Sequence, residues 1–418
     1  MKFRRNIINW VCLLLLGCWI AGDVFRQQHS GGHNAFLNLS ISIVKLLAWM
    51  GFGALVYELV TQNFYRLRTD THDLKRRIDA IGRNYVAQRP NAGLVIALCQ
   101  RGNCFCKGFG RVSEANPGPP DAQTIFEIGS VTKVFTALAL AKMVNDGTLK
   151  LDDSISRFLP EGVSSPKMDD AEITLRHLAT HTSGLPRLPD NFRPTVKDRL
   201  NPYASYSTRD LHDGLATVKM RSKPGRRSSY SNYGYGLLGN ILELKSGKSY
   251  ETLIQECVCT PLGLRNTTTH LSGEQKQRLT PGHAPNGKVV PNWEGDTLAG
   301  CGMIRSNAED LLKFIGANLA ETDSDISKAL QMAQQVHFKG LSRDIGLGWQ
   351  INKGTLGGPT LYWHNGGTGG YVSFVGFDKK HQTGVVVLSN YGAALVGDTS
   401  TDQIGMNLLK LGDKISFE

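Results

Sequence analysis

Ser130 and Lys133 have the residue types and spacing best suited to chemistry in this chain. They form an S-x-x-K pattern directly after the tetrapeptide FEIG at residues 126–129. On a helix the two side chains lie on one face, one turn apart. A serine hydroxyl becomes a nucleophile when a neighbouring base takes its proton, and a lysine is such a base when burial lowers its pKa. The pattern indicates acyl transfer through Ser130; its simpler interpretation is a serine N-cap beside a solvated lysine.

Tyr230 and Asn232 form a second pattern, Y-x-N, within the aromatic and serine-rich stretch 228–236. A phenol can relay the proton that Ser130 gives up, and an asparagine amide can hold a substrate carbonyl. An aromatic loop at the start of a helix would have the same composition. The second pattern therefore indicates a catalytic site only in combination with the first.

A third pattern, H-x-G, begins at His364 in the glycine-rich stretch 364–370, directly after the strand-like residues 361–363. Small residues such as Gly366 and Gly367 on an edge strand let a substrate backbone approach closely. A backbone N–H there, together with one at the start of a helix, can stabilise a developing oxyanion. Taken alone, the stretch is typical of a glycine-rich turn.

The three patterns follow one another at separations of about 100 and then 134 residues. In this order and spacing the chain resembles the class C β-lactamase and penicillin-binding-protein family of serine enzymes. Further likeness lies in four segments, and the resemblance spans roughly residues 80–410. The four segments are residues 147–153, 173–186, 261–267 and 346–349.

The resemblance implies a role for each catalytic position. Ser130 would be the acylated nucleophile and Lys133 its base partner. Tyr230 would be the general base or proton relay. The backbone N–H groups of Ser130 and Gly367 would form the oxyanion hole.

The resemblance also implies substrate-binding positions at Asn232, His364 and Gly366. His364 takes the place of the lysine found in most β-lactamases of this class, and family members with H-x-G include DD-peptidases, D-amino-acid-specific peptidases and esterase-like proteins. A histidine with a pKa near about 6.5 is mostly neutral at pH 7. If a charged His364 binds a substrate carboxylate, substrate affinity should weaken as pH rises from about 5.5 to 8.

The function expected from the resemblance is that of a serine hydrolase working through an acyl-enzyme. Its substrates would be small molecules or peptides: D-amino-acid peptides of the cell wall, β-lactams, or small esters and amides. The alternative is a penicillin- or peptidoglycan-binding sensor or scaffold with little turnover. No cofactor or metal is expected: His177 and His181 are four residues apart, but no glutamate follows His177 as in H-E-x-x-H.

The elements that must position these residues predict an α/β fold. Residues 93–112 are typical of a β-hairpin, and the runs 361–363, 371–377 and 384–388 of an antiparallel meander. Residues 131–144 are apolar on nearly every face, which indicates a buried helix, and residues 399–411 form a closing helix. The expected architecture is a β-lactamase-like antiparallel sheet flanked by helices, with an inserted all-helical domain and one or more N-terminal hydrophobic segments.

Charge and hydropathy separate an N-terminal region, residues 1–73, from a hydrolase domain, residues 74–418. The chain has 418 residues and a net charge of +11, but residues 1–77 hold ten basic and four acidic residues of this total. The remaining 37 basic and 32 acidic residues nearly balance, which argues against nucleic-acid binding.

Basic residues flank two apolar stretches, residues 7–22 and 35–57. Such a pattern predicts membrane attachment. Lys45 interrupts the second stretch, for which an interfacial or packed helix is the alternative interpretation. We expect the bacterial inner membrane, with the catalytic domain in the periplasm. One span or a cleaved signal would place the domain outside, whereas two spans would place it in the cytoplasm. An extracytoplasmic domain would allow disulfides, with the pairing left open, among Cys99, Cys104, Cys106, Cys257, Cys259 and Cys301.

Overall fold

Strands from both ends of the chain form the central layer of the molecule. The computed structural model describes residues 71–354, 358–392 and 400–412. The strands of the central sheet are β1 (Gly93–Gln100), β2 (Asn103–Gly110), β7 (Asp344–Ile345), β8 (Gln350–Asn352), β9 (Leu361–Gly367), β10 (Val372–Asp378) and β11 (Thr383–Ser389). Four strands of two residues each lie between β2 and β7 in the chain: β3 (Phe126–Glu127), β4 (Gly282–His283), β5 (Val289–Val290) and β6 (Arg305–Ser306).

Within the described ranges the central sheet has the order β2-β1-β11-β10-β9-β8-β7, and its neighbouring strands pair antiparallel. The predicted hairpin is confirmed as β1 and β2, and the predicted meander as β9, β10 and β11. The sheet thus brings the N-terminal hairpin beside the C-terminal meander.

Helices cover the sheet and fill the region between β2 and β7. Those before Thr260 are α1 (Thr71–Ala87), α2 (Thr132–Asn145), α3 (Leu175–Ala179), α4 (Phe192–Thr195), α5 (Thr208–Thr217), α6 (Asn232–Ser246) and α7 (Tyr250–Ile254). The later ones are α8 (Thr260–Leu262), α9 (Gly273–Arg278), α10 (Ala299–Gly302), α11 (Ala308–Leu319), α12 (Asp325–Gln334) and α13 (Thr401–Leu409). The predicted buried helix is confirmed as α2, and the predicted closing helix as α13.

Both faces of the sheet are covered, which explains why β1 is apolar at successive positions. Successive side chains of a strand point to opposite faces. Leu94, Ile96 and Leu98 belong to the apolar cluster formed with α1 and α13, whereas Val95 and Ala97 belong to the larger cluster formed with α2 and α11. The structure is therefore a mixed α/β fold with an antiparallel sheet between helical layers.

All described elements from Thr132 to Arg278 are helical, in the region where the sequence predicts an inserted helical domain. Two small antiparallel sheets lie outside this stretch, one pairing β3 with β6 and the other pairing β4 with β5. The β3–β6 pair sets Phe126 opposite Ser306, so it joins the segment before Ser130 to the segment before α11. These two-residue strands were not expected from the sequence, because they are too short to show the alternation by which a strand is recognised.

One disulfide is found within the described part of the chain. Cys99 and Cys104 lie opposite each other across the β1–β2 hairpin and are bonded. The other cysteines of the described residues, Cys106, Cys257, Cys259 and Cys301, are free thiols.

The predicted N-terminal segments, residues 7–22 and 35–57, lie outside the described residues. In the part of the chain that is described, no helix combines the length and the apolar content that crossing a bilayer requires. The division of the chain into residues 1–73 and 74–418 stays a prediction.

Candidate active site

Ser130 lies in a short 3-10 turn, Gly129–Val131, that leads directly into α2. Gly129 has a φ of +49°, in the left-handed region that favours glycine. A Cβ on Gly129 would lie 2.7 Å from the backbone nitrogen of Gly367 on β9. Because no side chain intervenes, the turn that carries Ser130 lies directly against this strand.

Gly366 makes a second close approach between β9 and this turn. A Cβ on Gly366 would lie 2.0 Å from the carbonyl oxygen of Ile128, and the Ser373 hydroxyl of β10 donates to the same oxygen at 2.7 Å. The glycines of the H-x-G stretch therefore bring the sheet edge to the nucleophile turn. The turn that carries Ser130 thus lies against the end of β9, and the oxyanion hole of Ser130 and Gly367 stays a prediction.

Lys133 lies on the first turn of α2 and is completely buried. Its Nζ lies 3.1 Å from Ser130 Oγ, 2.9 Å from Asn232 Oδ1 and 2.6 Å from the Cys301 carbonyl oxygen. An ammonium has three N–H donors and no acceptor, so these contacts use all of its donors. The predicted pairing of Ser130 with Lys133 is present in the structure.

The three partners of Lys133 differ in what they can exchange. The Asn232 amide oxygen and the Cys301 carbonyl oxygen only accept hydrogen bonds, whereas the Ser130 hydroxyl can also donate. A neutral amine would keep two N–H donors for the two acceptors and present its lone pair to the serine proton. The contact with Ser130 is therefore the one along which a proton can move without breaking the other two.

Asn232 is the first residue of α6, with Ser231 as the N-cap. Its Nδ2 donates to the Tyr203 hydroxyl at 3.2 Å, so the amide joins Tyr203 to Lys133. Ser231 Oγ accepts from the backbone N–H of Gly234 and donates to the Pro186 carbonyl. The N-cap thus fixes where α6 begins and holds the Asn232 amide beside Lys133.

Tyr230 is half-buried, and its ring lies over the lysine. Lys133 Nζ is 4.8 Å from the ring centroid of Tyr230, and the His181 ring is 4.4 Å away on centroids. Within the described ranges the Tyr230 hydroxyl has no hydrogen-bond partner among the protein's own atoms, which leaves it available to a substrate. The structure therefore brings the Tyr230 ring to Lys133, and the role of its hydroxyl as a proton relay stays a prediction.

His364 lies on β9 and is 1% exposed. Its Nδ1 donates to the Asn365 carbonyl at 2.7 Å, while its Nε2 is buried and has no hydrogen-bond partner among the described residues. Burial, and then the charge of Lys133, lower the pKa of His364 to about 3. The imidazole is thus neutral at physiological pH and can only accept at Nε2. The expectation that a charged His364 makes substrate affinity depend on pH between about 5.5 and 8 is corrected, because the burial of this side chain could not be seen in the sequence.

The burial of His364 predicts that acidification destabilises the folded protein. An unfolded histidine has a pKa of about 6.5, so below that pH the unfolded state binds more protons than a fold that keeps His364 neutral. His364 should therefore contribute a loss of up to about 1.4 kcal/mol per pH unit as pH falls from about 6.5 towards 4. Urea denaturation at pH values of about 7, 5.5 and 4.5 checks this, with His364→Gln expected to flatten the dependence. An equally steep dependence in the variant would contradict it.

Three residues that sequence reasoning missed also belong to the site: Tyr203, Cys301 and Arg187. Tyr203 and Cys301 contact the core of the site through the Asn232 amide and Lys133 Nζ. Arg187 lies with its Cζ 5.2 Å from the Tyr230 ring centroid. Tyr203 had no sequence signal, since its loop carries no motif. Arg187 directly follows the family segment 173–186, and Cys301 stands between two glycines, which is a weak hint of close packing.

No cluster of three histidine, cysteine, aspartate or glutamate side chains placed to hold a metal ion is found among the described residues. His181 instead packs against Tyr230 and Tyr235, and its Nδ1 accepts from the backbone N–H of Ser231 at 3.1 Å. Burial, followed by the positive charge of Lys133, lowers the pKa of His181 well below 6.5. This histidine therefore helps to position the Tyr230 segment.

Comparison with known proteins identifies the family of the chain. The family model "Beta-lactamase" matches residues 78–403. The D-alanyl-D-alanine-carboxypeptidase/endopeptidase AmpH of Escherichia coli is 28% identical over 312 residues, which cover 71% of this chain and 78% of AmpH. A beta-lactamase of Pseudomonas fluorescens is 27% identical over 349 residues, which cover 76% of this chain and 94% of the relative.

A solved structure gives the same result for the fold. The beta-lactamase/D-alanine carboxypeptidase of Yersinia pestis superposes with a TM-score of 0.67 at 25% identity, covering 78% of this chain and 95% of that protein. The family match extends over most of the chain and includes Ser130, Lys133, Tyr230 and His364. The chain therefore belongs to the beta-lactamase family and is a serine hydrolase.

Proposed function

We propose that Ser130 attacks the carbonyl carbon of an amide, ester or β-lactam while Lys133, as the neutral amine, takes the hydroxyl proton. The bond from the acyl group to its leaving nitrogen or oxygen breaks, and Tyr230 relays this proton from Lys133 to the leaving group. Water then attacks the acyl-enzyme, which releases the acid and restores the Ser130 hydroxyl. The observation that carries this proposal is the 3.1 Å contact between the buried Lys133 Nζ and Ser130 Oγ.

The backbone N–H groups of Ser130 and Gly367 would stabilise the oxyanion of this reaction. Support comes from the close approach of β9 to the turn Gly129–Val131, which leaves no room for a side chain at Gly129. Donors held in place before the reaction stabilise developing charge without a cost of reorganisation. Asn232, Gly366 and the neutral His364 would contact the substrate beside this hole.

The substrate classes proposed for this site are D-amino-acid peptides of the cell wall, β-lactams, and small esters or amides. Relatives named as D-alanyl-D-alanine carboxypeptidases and beta-lactamases support the first two classes. All share an electrophilic carbonyl and a leaving group that Tyr230 can protonate. No resident cofactor is needed for the proposed steps, since the serine, the lysine and the N–H donors suffice.

Intact-mass measurement tests the proposal. The full-length protein is incubated with benzylpenicillin, an acyl-D-Ala-D-Ala peptide or p-nitrophenyl acetate, and the adduct is located by peptide mapping. We expect one acyl group on Ser130 and release of product over many turnovers. An adduct on another residue would overturn the proposed nucleophile, and one product per protein without turnover would favour the sensor alternative.

We further propose that the N-terminal region attaches the enzyme to the bacterial inner membrane, with the catalytic domain in the periplasm. The apolar stretches with basic flanks and the Cys99–Cys104 disulfide support this, because disulfides persist in oxidising compartments. Alkylation of intact cells before reduction should leave Cys99 and Cys104 unlabelled and intact as a bonded pair. Complete labelling of both thiols without reductant would contradict the periplasmic location.

A further inference from the structure

Arg187 stands at the active site with its backbone fixed and its side chain exposed. Its carbonyl oxygen accepts from the backbone N–H groups of Asn232 at 2.9 Å and Tyr233 at 3.1 Å. Its guanidinium carbon lies 5.2 Å from the ring centroid of Tyr230. An exposed cation is thus held against the tyrosine that borders the buried lysine.

Arg187 is the cation of this site that is available to a ligand. Lys133 is buried with its Nζ in contact with three oxygen atoms of the protein, and His364 is neutral. Arg305 lies in an ion pair with the buried Glu127 at 3.7 Å. Arg187, in contrast, has no acidic side chain within ion-pair distance in the part of the chain that the structure describes. A guanidinium in this state can donate two parallel hydrogen bonds to a carboxylate.

The charge distribution around Arg187 favours an anionic ligand. Residues 187–227 hold ten basic and four acidic residues, whereas the rest of the range 78–418 holds 27 basic and 28 acidic residues. All ten basic side chains of residues 187–227 are exposed. Within the described residues only one of them, Arg209, has an acidic partner, Asp213 at 3.8 Å. The excess positive charge of residues 78–418 therefore lies in this segment.

Backbone hydrogen bonds bring the two ends of this segment together beside Tyr230. The N–H of Arg221 donates to the Gly184 carbonyl, and the N–H of Gly225 donates to the Thr182 carbonyl, both at 2.8 Å. The cations near residue 221 thus lie on a chain segment that runs along the one leading to Arg187. Several like charges on adjacent segments create a local positive potential that raises the concentration of anions near the site.

We propose that Arg187 binds the carboxylate of the substrate and thereby selects anionic acyl donors. The inference rests on the proposed function and deepens it, since it assigns the group that recognises the charge of the substrate. The exposed cations of residues 187–227 would steer such anions towards the site. The neutral, buried His364 leaves this task to Arg187.

The test compares two substrates that differ only in charge, benzylpenicillin and its methyl ester, on the full-length protein. The rate constant for acylation of Ser130 is measured against substrate concentration for wild type, Arg187→Gln and Arg187→Lys. Arg187→Gln should lower acylation efficiency with benzylpenicillin about tenfold or more, mainly through weaker binding, and leave the methyl ester within about twofold. Arg187→Lys should recover part of the loss, because it keeps the charge but loses the planar pair of donors.

Arg193→Gln serves as the matched control, because Arg193 is also an exposed arginine of residues 187–227 but lies on α4. It should change benzylpenicillin acylation much less than Arg187→Gln does. An equal loss for the acid and the ester would overturn the inference, since Arg187 would then act through Tyr230 or the fold. No loss for either substrate would also overturn it. If neither substrate acylated wild-type Ser130, the proposed function itself would fail, and that outcome is distinct from the others.

Discussion

Ser130→Ala is expected to abolish covalent labelling by penicillin and to lower hydrolysis by a factor of about 10⁴ or more. The reason is chemical: alanine has no atom that can form the acyl-enzyme, so Lys133 has no proton to accept at that position. The measurement combines gel fluorescence after incubation with a fluorescent penicillin and steady-state hydrolysis of p-nitrophenyl acetate. Both signals should disappear together in the variant.

The control for Ser130→Ala is Ser228→Ala, because Ser228 is exposed and belongs to the same serine-rich stretch as Tyr230. This control should keep wild-type labelling and turnover. The fold of Ser130→Ala should survive, since its hydroxyl makes one contact with Lys133, and the net loss of one hydrogen bond is about 0.5–1.5 kcal/mol. Full activity in a folded Ser130→Ala protein would refute the assignment of the nucleophile.

Lys133→Met is expected to slow acylation of Ser130 by a factor of about 10²–10⁴, the range usual for loss of a general base. Methionine has nearly the length of lysine but cannot take a proton. The acylation rate is measured by stopped-flow mixing with excess benzylpenicillin. Lys133→Arg should show a similar loss, because a guanidinium keeps the positive charge but does not give up its proton.

Stability must be measured beside these rates. Lys133→Met leaves the Asn232 amide oxygen and the Cys301 carbonyl without their shared donor, at a cost of about 1–3 kcal/mol each. Relief of the buried charge offsets part of this. Rates are therefore compared well below the melting temperature of each variant. A folded Lys133→Met enzyme with an unchanged acylation rate would show that another group takes the proton.

Much of the site was predictable because its side chains lie in short patterns. Ser130 and Lys133 are one helical turn apart, and Tyr230 and Asn232 flank an N-cap, so local spacing alone places each pair together. The strands β9, β10 and β11 were predictable for a similar reason, since each is an apolar run bounded by turn residues. The residues that contact Lys133 and Asn232 from other parts of the fold were not predictable, because those contacts join residues far apart in the chain.

Tyr203 and the Cys301 carbonyl illustrate this limit. Tyr203 reaches Asn232 across 29 positions of the chain, and Cys301 reaches Lys133 across 168 positions. No local pattern specifies either contact. The prediction of a charged His364 was wrong for a related reason. Its residue type suggested a group that titrates near neutrality, but the elements packed around β9 exclude water and lower its pKa.

The close approach of Gly366 to the Ile128 carbonyl has a consequence for how the sheet forms. A slip of β9 by two residues would keep every side chain on its own face, so the alternation of faces alone does not exclude it. Such a slip would bring His364 or Thr368 to the place of Gly366, where a Cβ would lie 2.0 Å from that oxygen. The misaligned strand cannot close against the turn. Gly366 therefore selects the native register of β9, because only a glycine fits beside the Ile128 carbonyl oxygen. A chain that folds with β9 shifted by two residues does not form the site.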